Sequence, residues 1–111
     1  MRRARLDEMV RGWFVGDFEP SALRTGVAEV GFRHYKAGDR EAAHHHRVAT
    51  EVTVIVSGRV RMNDLTYEAG DIVVIEPSEA TDFEALSDAA TVVVKVPGAL
   101  DDKYPGKAPM C

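Results

Sequence analysis

Gly38-Asp39-Arg40-Glu41-Ala42-Ala43-His44-His45-His46-Arg47-Val48-Ala49-Thr50-Glu51 runs directly into Val52-Thr53-Val54-Ile55-Val56-Ser57-Gly58. The second half is dense in β-branched residues, the composition of a strand covered on both sides. The first half sets three histidines and the carboxylates of Asp39, Glu41 and Glu51 against that apolar segment. Charge placed against a core is costly unless it is paired, hydrogen-bonded or bound to a metal. Alternate side chains of an extended strand share a face, so His44 and His46 project together and His45 projects away. Glu51 lies an odd number of residues beyond His46 and would fall on the opposite face of an unbroken strand. A turn or bulge between Arg47 and Thr50 brings it back, and such a break is expected. His44, His46 and Glu51 then converge as ligands for a divalent first-row metal, with positions left to water or substrate. Beyond them the alternation puts Thr53 and Ile55 on the pocket side and Val52, Val54 and Val56 on the other.

Outward from this stretch the chain reads as short strands separated by turn signals. Val27 to Tyr35 alternates Val30, Phe32 and His34 with Gly31, Arg33 and Tyr35, as a half-buried strand does. His34, on the apolar side, is expected to line the interior. Ser57-Gly58 reads as a tight hairpin turn with Arg59 to Met62 as its return strand. Leu65 to Glu68 follows, then Ile72 to Ile75 closed by Pro77, which cannot donate to a ladder and suits a strand end. Thr81 to Leu86 and Thr91 to Val96 complete the pattern, with Lys95 inside an apolar run and expected to extend its amine to solvent. Regular short strands with almost no helical periodicity indicate an all-β sandwich or barrel, for which the double-sheet jelly roll is the natural form.

The domain organisation expected is an N-terminal segment, residues 1–25, packing on the barrel or on a partner subunit; a barrel over 26–97; and an irregular tail over 98–111, tied down by Tyr104. Trp13-Phe14-Val15 and Phe18 are too short a run for an independent element and must bury their aromatics on the domain or on another copy. A chain of 111 residues fits one domain. Fourteen basic side chains against 18 acidic ones give no electrostatic reason to expect nucleic acid or an anionic membrane, which leaves a small molecule as the partner. No apolar run has the length of a membrane span, and the basic start is followed by acid, so a cytoplasmic protein is expected. Cys111, the single cysteine, has no internal disulfide partner and is given no role.

The central stretch resembles the first motif of the cupin superfamily, G-x5-H-x-H-x4-E-x6-G, with Gly38, His44, His46, Glu51 and Gly58 at every specified position. Gly70-Asp71-Ile72-Val73-Val74-Ile75-Glu76-Pro77 is similar to the opening of the second motif, which leads to a histidine, the usual fourth metal ligand. That histidine is missing. Thr81 stands in its place with Asp82 beside it. The resemblance covers roughly residues 27 to 97 and implies a small single-domain, RmlC-like jelly-roll cupin, a double-stranded β-helix with a pocket lined by Thr53, Ile55, Thr81, Phe83 and His34. It also implies a homodimer, since N-terminal segments of cupins often pack across subunits.

Three functions follow. In the first, the chain is a metal-dependent enzyme, an oxygenase, isomerase or lyase acting on a small polar metabolite. His44, His46 and Glu51 hold Fe, Mn, Ni or Zn, and the missing ligand is replaced by water, by substrate or by Asp82. In the second it resembles the metal-free sugar epimerase and isomerase branch, with His44 or His46 as general base and Glu51 or Asp82 orienting the imidazole. In the third it is a ligand-binding or sensor module without turnover.

Overall fold

The computed structural model describes residues 1–108, so Cys111 and Pro109 lie outside the described residues. The strands are β1 (Trp13–Gly16), β2 (Leu23–Arg24), β3 (Glu29–Tyr35), β4 (Arg40–His45), β5 (Thr50–Ser57) and β6 (Arg59–Met62). After them come β7 (Leu65–Glu68), β8 (Ile72–Ile75), β9 (Thr81–Ala85), β10 (Ala89–Val96) and β11 (Tyr104–Pro105). They form two sheets, one in the order β2-β1-β3-β10-β5-β8 and the other in the order β11-β4-β9-β6-β7. This is an all-β jelly roll. Among the described residues no helix is long and apolar enough to cross a membrane.

Between the sheets, Ile55, Ile75 and Ala89 of the first meet Val60, Met62, Phe83 and Ala85 of the second in one closed core. Each large apolar side chain buried there contributes about 1.5–3 kcal/mol. The alternation expected along β5 is present: Glu51, Thr53 and Ile55 are buried, whereas Val56 on the other face is 47% exposed.

Three expectations need correction. Ser57-Gly58 does not close a hairpin, because β5 pairs with β10 and β8 while β6 pairs with β7 and β9. Gly58 carries the chain from one sheet to the other at φ +81, and a Cβ there would sit 2.2 Å from the Asp88 carbonyl oxygen, so only glycine turns the corner. The N-terminal segment is not merely packed on the barrel; its β1 joins the larger sheet antiparallel to β3. The tail is only partly irregular, since β11 pairs with β4.

The outer face of the larger sheet is apolar from edge to middle. Its ladders align Ile72, Val54, Val92 and Phe32 in one row and Val74, Val52, Val94 and Val30 in the next. Ile72 is 64% exposed and Val74 53%. This face explains the misplacement of His34. The apolar side of β3 looks outward, where His34 is exposed and meets the Phe32 ring edge-on at 4.8 Å, while Arg33 and Tyr35 look into the barrel.

Candidate metal centre

The expected break between His46 and Thr50 is present, with bends at Arg47 and Val48. It carries the chain from β4 in one sheet to β5 in the other and turns Glu51 toward the two histidines. One ligating atom from each of His44, His46 and Glu51 lies within 4.8 Å of the others. The His44 and His46 rings meet edge-on with centroids 5.2 Å apart. His46 Nε2 is 3.2 Å from Glu51 Oε1, and the Thr53 hydroxyl donates to Glu51 Oε2 at 3.0 Å. His44 and Glu51 line a cavity of about 700 Å³ together with Thr53, Thr81 and Phe83, and His46 is buried behind them.

The tail orients the histidines. His46 Nδ1 bonds the Asp102 carbonyl oxygen, which assigns that nitrogen the proton and aims Nε2 at Glu51. The Asp102 carboxylate accepts from the backbone N–H groups of Arg47, Val48 and Ala49 at 2.9, 3.0 and 2.9 Å. One residue thereby fixes both the bend and the imidazole that follows β4. His45 points away from the cavity, stacks on Tyr104 at 5.5 Å, and its Nδ1 lies 2.7 Å from the Gly106 carbonyl oxygen. Arg47 caps the same ring, with its guanidinium carbon 3.8 Å from the Tyr104 centroid.

The protonation states suit cation binding. Burial pulls the His44 pKa below its ordinary value, so it stands as a neutral imidazole at pH 7. Burial pushes the Glu51 carboxyl up, but the hydrogen bond and charge of His46, with Lys95 and Thr53, outweigh it and hold the group below the usual carboxylate range. The hydrogen bond to Glu51 raises the His46 pKa against the opposing effect of burial. A divalent cation held by this group would take the place of the hydrogen bond between His46 Nε2 and Glu51 Oε1. Burial pushes the Asp102 carboxyl up as well, and its three backbone donors overcome that and keep it low.

The remaining expected residues separate. Thr81 lies on β9 directly across the ladder from His44, is buried and lines the cavity, the place in which the resemblance puts the missing histidine. Asp82 faces the other way, and its Oδ1 accepts the Asn63 N–H at 2.8 Å in the turn between β6 and β7. It is corrected from candidate ligand to turn cap, because the strand period sends neighbours to opposite faces. Ile55 is in the closed core and fully buried, not in the cavity wall. Lys95 lines the cavity instead of reaching solvent, with Nζ 4.8 Å from the Trp13 ring centroid and Glu29 and Glu51 as its ladder neighbours. Asp102 and Arg33 were not expected in the site, and Glu41, noted only for its charge beside the histidines, lines the cavity with them. Asp102 has no periodic signal, and its partners are more than fifty residues away in the chain.

No protein-family model matches the chain, and no curated protein matches it by sequence. Solved structures do match. A double-stranded β-helix protein from Klebsiella pneumoniae superposes with a TM-score of 0.71 at 22% identity, over 96% of this chain and 93% of that one. A cupin protein from Bacteroides fragilis gives 0.57 at 20% identity, over 78% of this chain and 80% of the other. A variant of salicylate 1,2-dioxygenase from Pseudoaminobacter salicylatoxidans gives 0.60 at 19% identity, over 75% of this chain and 26% of that one. The chain has the double-stranded β-helix fold that these structures share.

Proposed function

We propose that the chain is a metal-dependent cupin enzyme acting on a small polar metabolite, with His44, His46 and Glu51 as the protein's ligands to the metal. The observation that carries this reading is the convergence of three ligating atoms within 4.8 Å, with His44 and Glu51 lining a cavity large enough for a metabolite and His46 buried beside them. A divalent Fe, Mn, Ni or Zn ion held there supplies Lewis-acid polarisation or redox chemistry to a substrate. The chain's own contribution is orientation. The Asp102 carbonyl retains the His46 Nδ1 proton and Thr53 occupies one Glu51 oxygen, which leaves His46 Nε2 and Glu51 Oε1 facing one another.

Elemental analysis of protein purified without an affinity tag should find about one metal ion per chain, and a His44→Ala, His46→Ala double variant should retain almost none. Affinity should also depend on pH with a defined sign. His46 has a raised pKa, so below that pKa a metal must displace its proton; binding then strengthens about tenfold per pH unit and levels off above it. A titration at several pH values that shows no slope would remove His46 from the ligand set. Thr81→His should place a third imidazole, as a fourth protein ligand, beside His44 and tighten metal retention by about tenfold or more, measured by competition with a chelator.

The hydrogen bond between His46 and Glu51 supports a second reading, in which the same pair serves as a metal-free general acid and base. Absence of metal from the native protein, even after reconstitution, would favour it. Binding without turnover of any ligand would favour a sensor module.

The apolar rows on the outer face of the larger sheet support a homodimer that packs two such faces together, since interface cores are depleted of charge. Light scattering should give a dimer mass, and Val54→Glu with Val92→Glu should give a monomer of unchanged metal affinity.

A further inference from the structure

On the inner face of the larger sheet, Arg33 of β3 and Thr91 of β10 are direct ladder partners, and both line the cavity. Directly opposed residues of this kind hold their Cβ atoms roughly 5 Å apart. Thr91 is 1% exposed, and its hydroxyl has no partner among the described residues. A buried hydroxyl without a hydrogen bond is a standing cost to the fold that burial of a valine would avoid. Arg33 is similarly underused. Its Nη2 is ion-paired with Glu41 Oε1 at 3.8 Å, too long for a hydrogen bond, and Glu41 Oε1 already accepts from the Tyr35 hydroxyl at 2.8 Å. The guanidinium carbon stands 5.6 Å from the Tyr35 ring centroid, a contact that limits how the group can turn while leaving its N–H donors available.

We infer that Arg33 and Thr91 form a carboxylate-binding subsite, and that the substrate is a small organic acid held by its carboxylate at this wall. A guanidinium presents parallel donors that match the two oxygens of a carboxylate, and a neighbouring hydroxyl supplies a third donor that a bound anion would satisfy. The subsite is displaced from the metal centre along the same sheet. Thr91 and Lys95 lie on one face of β10, four residues apart, and Lys95 is the ladder partner of Glu51. At roughly 3.3 Å per residue this spaces the two rows about 13 Å apart at the backbone, a gap that the long arginine stem narrows. A small acid can therefore present its carboxylate to Arg33 and a second polar group toward Glu51. The subsite stands on Arg33 and Thr91 alone; only the assignment of that second group rests on the metal reading.

The test titrates acetate, succinate and benzoate, with succinamide as the uncharged control, into metal-depleted and zinc-reconstituted protein by calorimetry and by NMR. At least one of the acids should bind saturably to both forms, and succinamide should bind about tenfold more weakly than succinate or not at all. Arg33→Met should weaken the acid that binds by about tenfold or more and leave zinc affinity within about twofold of native. Thr91→Val provides a variant that cannot fail by unfolding for want of the hydroxyl: it should raise the melting temperature and lower acid affinity together. Failure of all three acids to bind, or undiminished binding by both variants, overturns the subsite. Loss of zinc binding by the native protein with the Arg33 effect intact would instead overturn the metal reading and leave the subsite standing.

Discussion

Asp102→Ala is expected to cost about 2–3 kcal/mol of folding stability, because three backbone N–H groups of the bend, that of Ala49 buried and those of Arg47 and Val48 partly so, lose a charged acceptor at once. Water reaching the bend offsets part of a larger loss. Urea unfolding of the metal-free protein measures this directly, and Asp102→Asn should fall between alanine and native, since an amide offers one acceptor oxygen where the carboxylate offers two. The effect has a pH signature. The folded-state pKa of Asp102 is held below its unfolded value, so its stabilisation is present above the unfolded pKa and is lost as pH falls through the folded one. The gap between native protein and Asp102→Ala should therefore narrow in acid. The same variant should weaken metal binding by about 10- to 100-fold, because the backbone carbonyl of residue 102, which orients the His46 ring, loses the carboxylate bonds that anchor the tail to the bend. A variant within 1 kcal/mol of native, on the scale of an exposed substitution, would show that the carboxylate does not hold the bend.

Glu51→Gln is expected to lower metal affinity by about 100-fold or more while leaving the fold in place. The amide has the shape of the carboxylate and can still accept the Thr53 hydroxyl, so the packing beneath the site is preserved. What is lost is the charge. The same loss should return the His46 pKa toward or below its ordinary value, because the hydrogen bond to Glu51 is the main cause of its elevation. NMR titration of the histidine ring reads that shift without any metal present. An unfolded Glu51→Gln protein would identify Glu51 as a structural acid; unchanged metal affinity would exclude it as a ligand.

How far the sequence could be read depended on which signals were local. The alternation along β5 assigned Glu51, Thr53 and Ile55 to one face and the valines to the other, because a continuous β-branched run has a single register. The odd spacing from His46 to Glu51 demanded a break, and the bend is where the spacing puts it. The same rule misassigned β3. With the outer face of the larger sheet apolar, Phe32 and Val30 no longer mark the interior, and the pocket side is the one that carries Arg33 and Tyr35. Gly58 signalled a sharp turn correctly but not its partner, since a glycine at positive φ serves a crossover between sheets as well as a hairpin. Asp102 was invisible for a different reason: its meaning lies entirely in contacts with residues 46–49, and nothing near it in the chain hints at them.

That distance has a consequence for how the protein is made. His44, His46 and Glu51 leave the ribosome about fifty residues before Asp102, Tyr104 and Gly106, at a synthesis rate of roughly 5–20 residues per second. For those seconds the bend lacks its acceptor, and the two rings that the tail holds are free to turn. On the proposed metal reading, a nascent or C-terminally clipped chain would display the same histidines without the tail contacts that orient them.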